Sequence, residues 1–413
     1  MTEPTSRVLA CGVPLIVENI PAMRSAGLCW LLPAGSVTDE PETLGRSQVV
    51  SELLMRGAGE LDSRGQADAF DRLGAARSAS SGTTHLRLSI SCLGSKLLDS
   101  IPLLADMVRR PSISDESLAP TKDLAIQAIE SLADDPQERC VIGARARHYP
   151  SPFDRSGLGT PEGIGGLTRE GVASAWERLA RPGGSIITAA GDVDIDALEQ
   201  GLNALLDGWS GDGGTCAMSG DPVRGYAHED DDSNQVQIMV VHDGPPEPHE
   251  DSILERVVVN TLSGGMSGRL FTEVREKRGL CYAVSASYRA DKTFAGVSAY
   301  VGTTPERAQE SLDVLLAELE RIRGGIEPDE LQRAKVGMKS RLVFGGESTG
   351  ARAASLAGDM RVLGRARSLT ELTERIDRVT LDRVNDYLRR REPGRMTIQT
   401  VGPDALKPPG VLG

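Results

Sequence analysis

The amino-acid sequence predicts an α+β protein made of two homologous domains in tandem, and three observations support this fold class. Segments with apolar residues at helical spacing alternate irregularly with short segments of period two. A stretch rich in Gly, Ser and Asp interrupts the chain at residues 207–224. The order of elements before this stretch recurs after it. We therefore expect mainly antiparallel sheets with helices packed on one face.

In the first half, the spacing of apolar residues predicts each element in turn. Residues 13–18 and 27–32 are predicted strands with a proline-containing turn between them. The predicted helix 45–55 has Val49, Val50, Leu53 and Leu54 on its buried side, and the helix 63–73 ends at Gly74. The alternating segment HLRLSISCL at 85–93 predicts a strand. Further helices are predicted at 96–109, 116–133, 168–179 and 194–206, and a further strand at 185–190.

The second half repeats this plan, with strands predicted at 235–241, 282–288, 294–301 and 395–401. Helices are predicted at 252–262, 267–277, 306–323, 328–342 and 380–390. Thr380 lies 212 residues after Thr168, and Gly402 lies 211 residues after Gly191. Such a constant offset indicates a duplicated unit of about 200 residues rather than a solenoid of short repeats. The predicted domains are residues 1–206 and 225–413, joined by the linker 207–224.

Composition excludes several classes of function. The formal net charge is −13, which argues against nucleic acid or an anionic membrane surface as the main partner. The first residues, MTEPTSRVLACG, lack the basic segment and apolar core of a signal peptide, and no apolar stretch of about 18 residues predicts a membrane span. The six cysteines form no C-x-x-C pair. We therefore expect reduced thiols and a cytoplasmic location.

The segment 262–288, LSGGMSGRLFTEVREKRGLCYAVSASY, predicts a helix, a stop and a strand. Ser267 is a candidate N-cap, and Gly279 suits the left-handed conformation that ends many helices. Tyr282 begins a period-two pattern that continues through Tyr288. Arg275 and Tyr282 flank the stop, so both side chains could project from one corner. The alternative is structural: Arg275 caps helix carbonyls and Tyr282 packs.

This segment resembles the second-domain signature of the pitrilysin/insulinase-type zinc peptidases, the group that includes the mitochondrial processing peptidase. In that family a GGMSSRLF-like run precedes an Arg and a Tyr seven positions apart, matched here by Arg275 and Tyr282. The resemblance implies two α/β sandwich-like domains that form half of a clam shell. It also implies that Arg275 and Tyr282 hold a substrate peptide and stabilise its reacting carbonyl.

Active members of the family carry H-x-x-E-H on a helix of the first domain, where two His bind zinc and the Glu activates a zinc-bound water. The matching stretch is GRSQVVSELLMRG, residues 45–57, which places Gln48, Ser51 and Glu52 at the three chemical positions. A later Glu ligand of the family is replaced by Ala128 in LAIQAIESLADDP, residues 124–136. Because one carboxylate does not make a zinc site, we expect no metal and no catalytic residue in this chain.

No other motif supplies the missing chemistry. None of the five histidines is paired with another at i, i+4, and the chain has no phosphate-binding or dinucleotide fingerprint. The histidines are His85, His148, His228, His242 and His249.

Two hypotheses of different classes follow. The first is a non-catalytic subunit of a heterodimeric zinc metallopeptidase, in which Arg275 and Tyr282 act on an unfolded peptide. Its partner would be a homologous subunit that carries intact H-x-x-E-H and the zinc. The second is a catalytically inactive scaffold, like the respiratory-chain core proteins of the same family, or a peptide-binding homodimer.

Overall fold

The computed structural model describes residues 2–214 and 216–408 of the chain. The strands, in chain order, are β1 Thr5–Val8, β2 Pro14–Asn19, β3 Ser25–Leu32, β4 Gly57–Ala58, β5 Leu61–Asp62, β6 Ala76–Ser81, β7 Leu86–Leu93, β8 Ile186–Gly191, β9 Gly225–Asp230, β10 Val236–Asp243, β11 Cys281–Ala290, β12 Ala295–Thr303 and β13 Thr397–Gly402. The helices are α1 Arg46–Leu53, α2 Ser63–Arg72, α3 Leu97–Arg109, α4 Asp115–Glu130, α5 Pro136–His148, α6 Pro161–Gly165, α7 Arg169–Leu179, α8 Ile195–Leu205, α9 Ser252–Ser263, α10 Pro305–Arg321, α11 Pro328–Gly346, α12 Thr349–Leu363, α13 Leu369–Asp377 and α14 Leu381–Arg390. A π-helical turn spans Phe271–Glu276.

The chain forms two compact units, and each unit is discontinuous in sequence. The first consists of the described residues of Met1–Ser131, Arg155–Met218 and Phe344–Ser368. The second consists of those of Leu132–Asp154, Ser219–Val343 and Leu369–Gly413. One of the passages from the first unit to the second lies between residues 218 and 219, inside the predicted linker.

The first unit is built on a six-stranded sheet in the order β1-β2-β8-β3-β7-β6, in which only β2 and β8 run parallel. Successive side chains of a strand point to opposite faces. Leu28 and Trp30 of β3 therefore enter the main core, where helices such as α1, α3 and α7 contribute apolar residues. Cys29 and Leu31 face the other way and pack against α12.

The second unit repeats this architecture on a five-stranded sheet in the order β11-β12-β10-β13-β9. Val236 and Ile238 of β10 face a core to which α9, α10, α11 and α14 contribute. On the opposite face, Met239 and Val241 pack against Cys140 of α5. The predicted α+β class and the antiparallel character of the sheets are confirmed.

The two halves of the sequence exchange one helix each. Helix α5 follows α4 in the first half but packs in the second unit, and α12 follows α11 in the second half but packs in the first unit. Thr349 at the start of α12 lies 213 residues after Pro136 at the start of α5, which agrees with the offset found in the sequence. The predicted continuous domains 1–206 and 225–413 therefore correspond to the repeat in the sequence. The compact units differ from them, because α5 packs in the second unit and α12 packs in the first.

Short or weakly patterned elements were not predicted from the sequence. They include β1, β6, β9, α5, α6, α12 and α13. The helix predicted to begin at Ser267 begins at Arg269, because Gly268 closes a turn onto Gly265 O and its own carbonyl accepts the first helical bond from Thr272 N. Within the described residues, no helix is long and apolar enough to cross a membrane.

Candidate functional site

Helix α1, which carries the positions of the zinc motif, is held at its N-terminus by a buried carboxylate. Asp39 accepts hydrogen bonds from Gly45 N at 3.1 Å and from Ser47 N at 3.1 Å, and it lies 3.4 Å from the guanidinium of Arg46. Burial raises the pKa of Asp39, although Arg46 and the hydrogen bonds of Ser47 oppose the shift. A carboxylate at this end of a helix also satisfies N–H groups that have no intrahelical acceptor.

The side chains at the zinc-motif positions do not fit a zinc ion. Ser51 is buried, and its hydroxyl donates to Gln48 O of the same helix at 2.8 Å. Glu52 and Ala128 are exposed. A zinc site with three or four nitrogen, sulfur or carboxylate donors cannot be assembled from these residues. In the described part of the chain, no group of three or more His, Cys, Asp or Glu residues could hold a metal ion.

Arg275 lies on the π-helical turn and is exposed. Its guanidinium stacks over the ring of Phe271, 5.0 Å from the ring centroid. The structural alternative assigned carbonyl capping to Arg275, but Arg278 does this instead, donating to Glu273 O at 2.7 Å. No hydrogen bond or ion pair engages the Arg275 side chain within residues 2–214 and 216–408. An arginine held by ring stacking alone keeps its donors available to a ligand.

The stop after this turn is the one predicted. Gly279 has a φ of +61°, the left-handed conformation that favours glycine. Gly279 N donates to Arg275 O at 3.0 Å, and Leu280 N donates to Val274 O at 3.0 Å. These bonds close the helix end and turn the chain directly into β11.

Tyr282 occupies a β-bulge, which the sequence pattern did not reveal. In the β11–β12 ladder, Cys281 pairs with Thr303 and Ala283 pairs with Gly302, so Tyr282 is the additional residue. The period-two pattern placed Tyr282 on the same face as Val284, and this is wrong. Because a bulge adds one residue, it turns Tyr282 away from the face on which Val284 packs into the core. The Tyr282 side chain is left 44% exposed.

The hydroxyl of Tyr282 is held by two glutamines of the second unit. It donates to Gln235 Oε1 at 2.8 Å, and it accepts from Gln237 Nε2 at 3.1 Å. Tyr300, which is buried, donates to Gln237 Oε1 at 2.6 Å. The Tyr282 hydroxyl also lies 3.3 Å from Gln237 Oε1, so both polar atoms of this amide are within hydrogen-bonding distance of it. Its shortest bond as a donor is the one to Gln235.

The rings of Tyr282 and Tyr300 pack so closely over Gly302 that only glycine fits at this position. A Cβ atom at Gly302 would lie 2.6 Å from the Tyr282 ring and 2.6 Å from the Tyr300 hydroxyl. The two rings occupy the space above Gly302, so a larger residue there would displace them. Sequence reasoning missed Gln235, Gln237, Tyr300 and Gly302, because only strand pairing brings these residues beside Tyr282.

Arg275 and Tyr282 border the same helix–strand corner, although no hydrogen bond joins their side chains. Cys281, which precedes Tyr282, is half-buried. Burial raises the pKa of its thiol, and the charge of Arg275 opposes this shift. Arg275 therefore acts electrostatically on the residue next to Tyr282. The guanidinium of Arg275 and the phenolic O–H of Tyr282, which donates to Gln235, are both groups that can donate to a carbonyl oxygen or a carboxylate.

Two family models match most of the chain. The model described as insulinase (peptidase family M16) matches residues 15–148, and the model described as peptidase M16 inactive domain matches residues 166–338. A protein named uncharacterized zinc protease from Mycobacterium bovis is 26% identical over 98% of this chain and 94% of its own length. A Bacillus subtilis protein of the same description is 24% identical over 96% of this chain and 98% of its own length.

Solved structures share the fold over 96–98% of the chain. A structure described as a peptidase M16 inactive domain from Pseudomonas fluorescens has a TM-score of 0.87 at 21% identity and covers 98% of this chain and 100% of its own. A protease from Helicobacter pylori has a TM-score of 0.84 at 16% identity, with coverage of 98% and 100%. A chain of complex III2 from Candida albicans has a TM-score of 0.82 at 16% identity, with coverage of 96% and 95%.

Proposed function

The chain belongs to the insulinase-type M16 peptidase family, and we propose that it is a non-catalytic subunit that binds peptide for a zinc-bearing homologue. The observation that carries the proposal is Tyr282, which a β-bulge leaves exposed and whose hydroxyl Gln235 and Gln237 hold in place. On the turn that precedes Tyr282 in the chain, the exposed guanidinium of Arg275 has donors available. The positions of the zinc motif, in contrast, offer no matching set of ligands.

In this role Arg275 and Tyr282 would bind the carbonyl oxygen of an unfolded peptide. The phenolic proton of Tyr282 points to an amide oxygen, that of Gln235, in the chain without peptide. A peptide carbonyl has the same acceptor chemistry, so substrate would take over this bond. Donors fixed before the reaction stabilise charge that develops on a carbonyl oxygen without having to reorganise.

The partner in this proposal is a homologous chain with intact H-x-x-E-H, which would hold the zinc. The zinc-protease names of several relatives support a peptidase context. We also propose a cytoplasmic location, because all six cysteines are free thiols, including the exposed Cys216 and the half-buried Cys11 and Cys281.

The proposal is tested on the complex isolated from its native cell, with zinc content and peptide cleavage measured beside the same assays on the chain alone. Arg275→Ala and Tyr282→Phe should each lower kcat of the complex by roughly 100-fold, the usual cost of removing one preorganised donor. Arg383→Ala, an exposed arginine on α14, is the matched control and should leave cleavage unchanged. Full activity of the Arg275→Ala complex would overturn the proposal.

The same measurement distinguishes the alternatives. A metal-free homodimer that neither binds nor cleaves peptide would support a scaffold. A homodimer that binds peptide without cleaving it would support a stand-alone peptide-binding protein. Zinc binding and cleavage by the chain alone would contradict the account of Gln48, Ser51, Glu52 and Ala128.

A further inference from the structure

A polar pocket of the second unit lies beside its sheet edge, lined by residues other than Tyr282. It has a volume of about 260 Å³. Ala286 and Tyr288 of β11 form one wall, Arg256 and Asn260 of α9 form another, and Arg341 of α11 reaches in from a third side. The pocket therefore combines an edge strand with two guanidinium groups.

Strand β11 is the edge of its sheet. It pairs with β12 along one side, and no other main chain of the described residues bonds to it. Its ten residues thus leave a row of main-chain N–H and C=O groups open to another extended chain. Val284 and Ala286 pack on the α9 face of the sheet. Alternate side chains of an added strand would point to this same face.

The pocket carries an excess of positive charge. The carboxylate of Glu247 forms an ion pair with Arg256 and lies 3.6 Å from Arg375. Arg256 also stacks on Tyr288, 5.1 Å from the ring centroid. Arg341 is exposed and donates to Asn260 Oδ1, and no carboxylate of the described chain lies within ion-pair distance of it. An acidic group that entered the pocket would find an arginine without a competing anion.

We propose that this pocket is a specificity subsite for an acidic side chain of an extended peptide that adds to the edge of β11. The proposal deepens the peptide-binding role above and rests on it. Main-chain bonds to β11 would supply sequence-independent affinity, and the pocket would select the side chain directed toward α9. Arg341 would bind the carboxylate through charge-assisted hydrogen bonds, with Arg256 as the second cation.

The test measures binding of short labelled peptides to the full-length chain by fluorescence anisotropy. An eight-residue uncharged peptide with one central Glu is compared with the same peptide carrying Gln. The Glu peptide should bind about tenfold more tightly at low salt, since a charge-assisted hydrogen bond contributes more than a neutral one. Raising the salt to about 0.5 M should reduce this preference.

Variants assign the preference to the pocket. Arg341→Gln should remove the advantage of Glu over Gln, whereas Arg383→Gln, which removes the same charge from α14, should preserve it. Methylation of alternate backbone nitrogens of the peptide, in two registers, should abolish binding in one register. Equal affinity for the two peptides, a preference that survives Arg341→Gln, or indifference to methylation in both registers would each overturn the proposal.

The outcome separates this subsite from the proposed function. A Glu preference that depends on Arg341 would sustain the subsite even if Arg275→Ala left the activity of the complex unchanged. Loss of activity in the Arg275→Ala complex without any Glu preference would leave the proposed function standing and reject the subsite. A chain that forms a stable dimer through β11 and excludes peptide would likewise reject it.

Discussion

At the scale of single residues, His242 shows how burial fixes a protonation state. It is 1% exposed, its Nδ1–H donates to Asp243 O at 2.8 Å, and its Nε2 accepts from Arg391 at 3.1 Å. With Nδ1 as a donor and Nε2 as an acceptor, the imidazole is neutral. Arg391 in turn pairs with the buried Glu255 at 2.5 Å, and Tyr387 donates to the same carboxylate. Burial, reinforced by Arg391, lowers the pKa of His242 to about 4.

This state predicts a pH dependence of stability. The unfolded histidine titrates near pH 6.5, so between about pH 6.5 and 4 the unfolded chain binds a proton that the folded chain does not. The contribution of His242 is complete above pH 6.5 and is lost as the pH falls toward 4, by roughly 3 kcal/mol. The free energy of unfolding, measured in urea at pH 7, 5.5 and 4.5, should fall more steeply for the native chain than for His242→Gln. His249→Gln, at a half-exposed site, should keep the native slope, and equal slopes for all three would contradict the assignment.

At the scale of elements, α1, which carries Gln48, Ser51 and Glu52, is stabilised at its N-terminus from outside the helix. Its N-terminus depends on Asp39, whose carboxylate bonds to Gly45 N and Ser47 N and balances the buried Arg46. Removing one partner of a buried ion pair leaves the other charge uncompensated. The helix is therefore held by a polar contact that lies outside its own sequence.

Asp39→Ala should lower the free energy of unfolding by about 3–4 kcal/mol, because it removes the helix cap and leaves Arg46 buried without its partner. Asp39→Asn keeps an acceptor for the backbone N–H groups and should cost less. Equilibrium unfolding in urea measures both. A loss below about 1 kcal/mol for Asp39→Ala would show that α1 is held by its apolar face alone.

The same scale shows what the sequence could and could not predict. Strong apolar periodicity predicted most strands and helices, and the residues of the Arg275–Tyr282 corner followed from a motif. The bulge at Tyr282 left the period-two pattern of its strand intact, so the pattern gave no sign of it. Asp39 lies six residues before Gly45, outside the usual capping distance. Both features depend on pairing between segments, which local patterns do not encode.

At the scale of the whole molecule, the exchange of α5 and α12 was invisible in the sequence because both helices pack through small residues. Ala353 and Ala357 of α12 bury against the sheet of the first unit. A Cβ atom at Gly27 of β3 would lie 2.5 Å from Gly350 N, so the helix start touches the strand backbone. Close approach of this kind needs little apolar volume and produces only a weak amphipathic pattern.

The exchange makes the first unit dependent on a distant segment, and this is testable. A fragment of residues 1–218 lacks α12, so Ile16, Cys29 and Leu31 would lose their cover. Glu18, which is 2% exposed and pairs with Arg352 at 2.6 Å in the full chain, would lose this ion pair and become exposed to water with them. The fragment should therefore bind a hydrophobic dye and unfold without a cooperative transition.

Joining residues 344–368 to this fragment through a flexible linker should restore cooperative unfolding. An Arg352→Met version of the joined chain should be less stable. Cooperative folding of 1–218 alone would show that the first half is an autonomous domain that does not need α12 to fold.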